Sequence, residues 1–274
     1  MTARLASIAL MLTAAAACGP KRLILPTGPG APAPDFRSAY EQASSACAGV
    51  RTLRATASLS GRAGPDRMRG TLIGGFEQPD AMRLEGVAPF GPPAFILAAR
   101  ARTATLLLPR DNRVLTGVSA ADILEALAGV RLDPSELRAI LTGCVTASRD
   151  AAAGRGYENG WMAVDLAGSA TVYLRRDQGQ WRIVAGLLPA LEVQYGQFLG
   201  GLPRTVQIES RGDTQGGVAV SLTLALSDVA TNVSLKPAAF TVDVPADAVP
   251  ITLVELRDVG PLGVKAKTRT SGTR

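Results

Sequence analysis

Ahead of residue 50 the apolar positions recur every three or four residues, and beyond it they alternate. Phe36, Ala39, Tyr40, Ala43 and Cys47 fall on one face of a helix predicted over 35–49, with Asp35 at its N-cap. In "TLRATASLS" the period drops to two: Leu53, Ala55, Ala57 and Leu59 face one way, and Thr52, Arg54, Thr56 and Ser58 the other. Met68, Gly70, Leu72, Gly74 and Phe76 continue the pattern, as do Met82, Leu84 and Gly86, with "GRAGPD" as a turn between the first two strands. The inward positions are rich in Gly and Ala, which lets a sheet curve and leaves room above it. "AFILAARARTATLLL" is apolar on both faces around Phe95 to Ala99, as strands covered on both sides require.

Two short helices interrupt the strands. In "SAADILEALAG", Ser119 is the cap, Asp122 follows three residues on, Ala120, Ile123, Leu124 and Leu127 form a stripe, and Gly129 is the stop. "DPSELRAILTG" repeats the design with Asp133, Pro134 at the first helical position, Glu136 and Gly143. Residues 145–159 read as a loop. Alternating runs then follow near 160–166, 169–176, 180–188, 191–198, 204–210, 217–226, 229–235 and 240–244. The reading is mainly β with helices (α+β): an incomplete antiparallel β-barrel, with helices covering its concave apolar side. Helices that complete a packed core and helices that act as a removable lid look alike at this level.

The ends carry different signals. Residues 1–17 hold one charge, Arg4, and then a small and apolar run too short to span a bilayer, the pattern of an export signal. Cys18 follows Ala16 and Ala17 where a lipobox would place a diacylated cysteine, although Ala15 stands where such motifs carry Leu; an ordinary signal peptide with Cys18 merely nearby is the alternative. Residues 18–34 are about half Gly and Pro and are expected to be a tether of roughly 3 Å per residue. Residues 35–262 form the expected single domain. From 263 to 274 a basic tail follows, with Lys265, Lys267, Arg269 and Arg274 and no acidic residue, which is expected to be disordered and solvated.

Composition narrows the chemistry. The net charge of +6 is concentrated in that tail, and aromatic residues make up only 4% of the chain, so a basic stripe with stacking aromatics for nucleic acid is missing. There is no histidine, which excludes His-dependent triads, His-containing metal sites and imidazole acid–base work. No nucleophile elbow or phosphate-binding loop occurs, and the scattered carboxylates sit at helix starts and turns. The expectation is a protein with no catalytic residues, no metal and no cofactor. With Cys18 assigned to lipid, Cys47 and Cys144 remain as a candidate disulfide; two separately buried thiols are the alternative.

The stretches "SAADILEALAGVRLDPSELRAILTGC" and "MRLEGVAPFGPPAFIL" resemble corresponding elements of the LolA/LolB-like outer-membrane lipoprotein family, its LolB branch most closely. The resemblance spans roughly residues 36 to 260. It implies a half-barrel that shelters acyl chains of lipoproteins or lipids and delivers them, with a periplasmic carrier protein as a partner. It also implies a lipid-anchored location on the outer membrane facing the periplasm, in keeping with Gly19, rather than Asp, after the cysteine. By position, Pro89, Phe90 and Gly91 match the family's membrane-contact loop; the alternative is that Phe90 folds into the core. The expected acyl-binding cavity comprises Leu53, Leu72, Phe76, Leu84, Phe95 and Leu97 from the sheet, and Ile123, Leu127, Leu137 and Ile140 from the helices. A scaffold or sensor lipoprotein on the same fold, with a packed interior and acting through protein contacts, is the competing function.

Overall fold

The computed structural model describes residues 22–146, 150–211, 219–259 and 263–264. The signal segment, Cys18 and the tail from Lys265 onward lie outside them. A two-residue strand, β1 (Ala31–Pro32), precedes helix α1 (Phe36–Ala48). A meander follows: β2 (Thr52–Ala63), β3 (Asp66–Glu77), β4 (Ala81–Val87), β5 (Phe95–Arg100), β6 (Thr103–Leu108) and β7 (Arg113–Val118). Helices α2 (Ala120–Ala128) and α3 (Pro134–Thr142) lead to a second meander. It consists of β8 (Ala151–Tyr157), β9 (Trp161–Leu166), β10 (Ala170–Asp177), β11 (Gln180–Leu187), β12 (Leu191–Gly196), β13 (Thr205–Ser210) and β14 (Val220–Thr231). Short strands β15 (Val249–Pro250) and β16 (Gly263–Val264) flank helix α4 (Leu253–Val259).

The two meanders form one sheet because β14 pairs with β2 along almost its whole length. The order runs β1-β8-β9-β10-β11-β12-β13-β14-β2-β3-β4-β5-β6-β7-β15, and the two edges are not joined, so the barrel is incomplete. Strands β7 and β8 therefore lie towards opposite flanks, and the chain between them has to cross the sheet. That crossing is α2 and α3, which explains why a helix pair interrupts the strands and why it covers the inner face. Helix α1 packs on β8–β11, α2 on β5 and β6, and α3 on β4. The inner faces of both meanders and these helices share one continuous apolar core. Its fully buried members include Leu53, Leu97, Ile123 and Ile140, each contributing roughly 1.5–3 kcal/mol by leaving water.

The local signals of α2 and α3 act as the sequence predicts. Ser119 Oγ accepts the Asp122 amide at 3.1 Å. Asp133 accepts the Glu136 amide at 2.8 Å while Glu136 accepts the Asp133 amide at 2.9 Å, a complete capping box. Both helices end on a left-handed glycine, Gly129 and Gly143. Asp35 does occupy the N-cap of α1, but its side chain caps no amide.

Four expectations change. Residues 22–33, read as part of a tether, are docked: Arg22–Leu25 contact the outer side of the second meander, β1 pairs with the edge of β8, and Ala33 is buried in the main core; Pro removes donors but leaves carbonyls and apolar rings for such contacts. Within the expected loop 145–159, Ala151–Tyr157 is a strand, held by its ladder to β9 without an apolar alternation of its own. The runs at 217–226 and 229–235 merge in part into β14 through an irregularity between Ser227 and Ala230, and 240–244 forms no strand. The last helix, α4, is an addition to the expected elements; it packs against α2 and buries Leu256 in the main core. No helix among the described residues is long and apolar enough to cross a membrane.

Candidate functional site: an apolar cavity beneath two helices

Between the inner face of the sheet and the α2–α3 pair lies a cavity of about 80 Å³. Its floor is built from alternate positions of adjacent strands: Ala55, Ala57 and Leu59 on β2, Leu72, Gly74 and Phe76 on β3, Leu84 on β4 and Phe95 on β5. From the other side Ile208 on β13 and Leu222, Leu224 and Leu226 on β14 close it, and the roof is Leu124, Leu127, Ala128, Val130, Leu132, Leu137 and Leu141. The hollow exists because its centre is lined by the smallest residues. Ala57 on β2 faces Leu72 on β3, and Ala55 faces Gly74. A Cβ at Gly74 would come within 3.0 Å of the Phe76 ring and 3.3 Å of Leu84, so the glycine lets those side chains converge over the backbone.

Every lining side chain is apolar, and no ionisable group enters the cavity. It offers dispersion and hydrophobic contact only, the surroundings an alkyl chain needs and a polar ligand avoids. Of the lining residues, Leu72 and Leu137 alone are only half-buried. The mouth therefore lies between β3 and the first turns of α3. Its volume falls short of the ~150 Å³ at which an apolar protein cavity admits benzene. A long acyl chain fits only if α2 and α3 move off the sheet.

Six of the predicted cavity residues meet here: Leu72, Phe76, Leu84, Phe95, Leu127 and Leu137. Leu53, Leu97, Ile123 and Ile140 are instead packed in the solid core beside it. Those left out of the prediction include the β14 side chains, although "VSLTLALS" carries the same alternation; their pairing with β2 spans most of the chain and is invisible locally.

The roof is held at several points. Asp122 accepts from Ser119 Oγ at 2.5 Å and from Arg131, which also reaches Glu125 at 3.0 Å, so the turn after α2 is clipped back onto it. The Ser119 hydroxyl, followed by Arg131, holds the Asp122 carboxyl below the usual carboxylate range. A disulfide joins Cys144, just past α3, to Cys47 in α1, with Cα atoms 5.6 Å apart. The turn between α2 and α3, clipped to α2 in this way, adjoins the cavity mouth.

The segment between β4 and β5 places Phe90 outward, 87% exposed, with Pro89 and Gly91 on either side. Arg110, in the turn between β6 and β7, donates to the carbonyls of Phe90 and Pro92 and fixes the tip. The β3–β4 ladder ends at Thr71 and Val87, one position beyond Leu72 and Gly86, so the root of this loop adjoins the cavity mouth. Among the described residues no group of Cys, Asp and Glu side chains is gathered as a metal ion would require.

No protein-family model and no curated protein matches this chain. Solved structures similar to it include a DUF1329 family protein from Desulfovibrio piger, 11% identical over 75% of this chain and 96% of that one, with a TM-score of 0.48. A LolA superfamily protein from Nitrosomonas europaea is 11% identical over 75% and 96%, with a TM-score of 0.46. A putative outer membrane lipoprotein-sorting protein domain from Vibrio parahaemolyticus is 14% identical over 75% and 93%, with a TM-score of 0.41. None of these three is described as a LolB protein.

Proposed function

We propose that this chain is a non-enzymatic, lipid-anchored envelope protein that takes an acyl chain of a lipoprotein or lipid beneath α2–α3 and delivers it at the outer membrane. The observation that carries this reading is the wholly apolar cavity whose mouth lies at the root of an outward-facing aromatic loop. An acyl chain arriving from a bilayer or a carrier protein would meet Phe90 first and Leu72 next. Anchoring through Cys18 would keep the protein at the membrane, since two or three buried acyl chains bind it stably. Entry requires the helix pair to lift, starting from the mouth end.

The competing reading, a scaffold or sensor acting through protein contacts, is favoured by the small volume of the cavity in this state. The two are separated by titrating a fluorescent fatty acid into the chain produced without residues 1–17. Binding is expected, and Ala57→Leu, which puts a larger side chain into the middle of the hollow, is expected to abolish it with an unchanged or higher Tm. No binding by the parent chain, or binding indifferent to Ala57→Leu, overturns acyl carriage and leaves the scaffold reading.

A further inference from the structure

On the outer face of β12 and β13, Glu192 and Glu209 stand directly opposite one another. Two carboxylates in such a cross-strand pair repel, and a sheet keeps them only with a counter-charge. Arg22 supplies it, with Nη2 3.1 Å from Glu192 and Nη1 2.5 Å from Glu209. Beside this pair, Gln194 is only 4% exposed and treats the next residue as a strand would: its Oε1 accepts the Leu23 amide at 2.7 Å and its Nε2 donates to the Leu23 carbonyl at 3.0 Å. Leu25 then covers a small apolar cluster of Ala163, Tyr173 and Ala185, which points away from the main core. Charge, amide and apolar patch form a receptor for the segment that begins at Arg22.

The consequence concerns orientation. Only three residues separate Cys18 from Arg22, a reach of at most about 14 Å when fully extended, against roughly 50 Å for a free tether through residue 34. The register row through Glu192 and Glu209 continues through Ser221, Arg62 and Arg67 to Val264, the second residue of the basic tail, whose first two residues pair with β3. The turn carrying Phe90 leaves the sheet at that same end, whereas Trp161 and Trp181 lie at the opposite one.

Building on the proposed anchorage at Cys18, we infer that the Arg22–Leu25 strap docks the body end-on, so that the Arg62–Arg67–Phe90 end faces an anionic bilayer. The strap, rather than the loop alone, sets this pose. It also presents the cavity mouth to the lipid surface.

The test supplies the anchor chemically, so it stands apart from native lipidation and from acyl binding. The chain beginning at residue 18, its other two cysteines bridged, is coupled through Cys18 to maleimide-headgroup lipid in phosphatidylcholine–phosphatidylglycerol vesicles that contain brominated lipid. Trp161 and Trp181 report the far end, and Asp66→Trp, at the first residue of β3, reports the near end. The near-end tryptophan is expected to be quenched severalfold more than the native pair. Arg22→Glu combined with Gln194→Ala, which removes the strap's charged and amide contacts outside the main apolar core, is expected to erase that contrast while far-ultraviolet circular dichroism stays the same. Equal quenching of both ends in the strapped protein overturns the inference. So does a contrast that survives Arg22→Glu/Gln194→Ala.

Discussion

Asp122 shows how one side chain holds the roof of the cavity. Its carboxylate accepts from Ser119 and Arg131 and faces the positive end of the α2 dipole, and these partners lower its proton affinity in the folded state. A depressed carboxylate contributes stability that is fully present above its unfolded value, near 3.9, and is lost as pH falls through the folded value. Asp122→Asn keeps the shape and removes the charge, so at pH 7 it is expected to cost about 0.5 kcal/mol, discounted because the ion pair is partly exposed. In chemical denaturation the gap between variant and parent should close on acidification below the ordinary carboxylate range. A constant gap down to pH 2 would mean that the side chain acts through shape alone. Gly86 makes the complementary point without any charge: an added Cβ would lie 2.5 Å from the Phe95 ring, which covers the bare backbone of β4 beside the cavity.

At the scale of elements, legibility followed how local each cause is. Helices α2 and α3 were readable because caps, capping box and left-handed glycines all lie within a turn of what they control. Strand β8 was not, since "AAAGRGY" has no apolar alternation and is a strand by virtue of its neighbours β9 and β1. The segment after β14 alternates well yet forms no strand at 240–244; Arg83 on β4 donates to the carbonyls of Ala239 and Thr241 instead, which occupies that backbone. For the cavity the alternation of β2 to β5 gave the floor, but it could not separate Leu72, which lines a hollow, from Leu53, which fills a core. That distinction depends on the alanines and glycine across the strands and on where α3 lands. The loop between β4 and β5 is an element whose role is open to direct measurement. Phe90 buries almost nothing within the protein, so Phe90→Glu should leave Tm within about 1 °C, in line with the small effects typical of exposed sites. In flotation assays the same variant of the unlipidated chain should lose liposome association; retained flotation would remove this loop from the membrane contact.

For the molecule entire, the disulfide connects the roof of the cavity to the helix that lies on the second meander. Cys47 ends the helix that lies on β8–β11, and Cys144 follows the helix that roofs the cavity over β4, so the bridge ties the two halves of the curled sheet across its concave side. The loop it closes, with its ends 97 residues apart, contains the whole first meander and both roof helices. Restricting the unfolded chain over that length contributes about 4–5 kcal/mol in the chain-entropy account. The bridge also fixes α3 at its C-terminal end, while α4 packs on α2, so in the proposed uptake the roof would open from the turn between α2 and α3, where Leu132 and Leu137 line the cavity with Leu72. Replacing both cysteines with alanine should therefore do two separable things. Equilibrium denaturation should shift by about 4 kcal/mol, through the unfolded ensemble. Stopped-flow uptake of a fluorescent fatty acid should accelerate at conditions where the variant is still folded, because α3 then loses its covalent tie to α1. A stability loss with unchanged uptake would mean that the roof already opens as far as the ligand needs with its far end pinned, placing the hinge between Leu137 and Cys144.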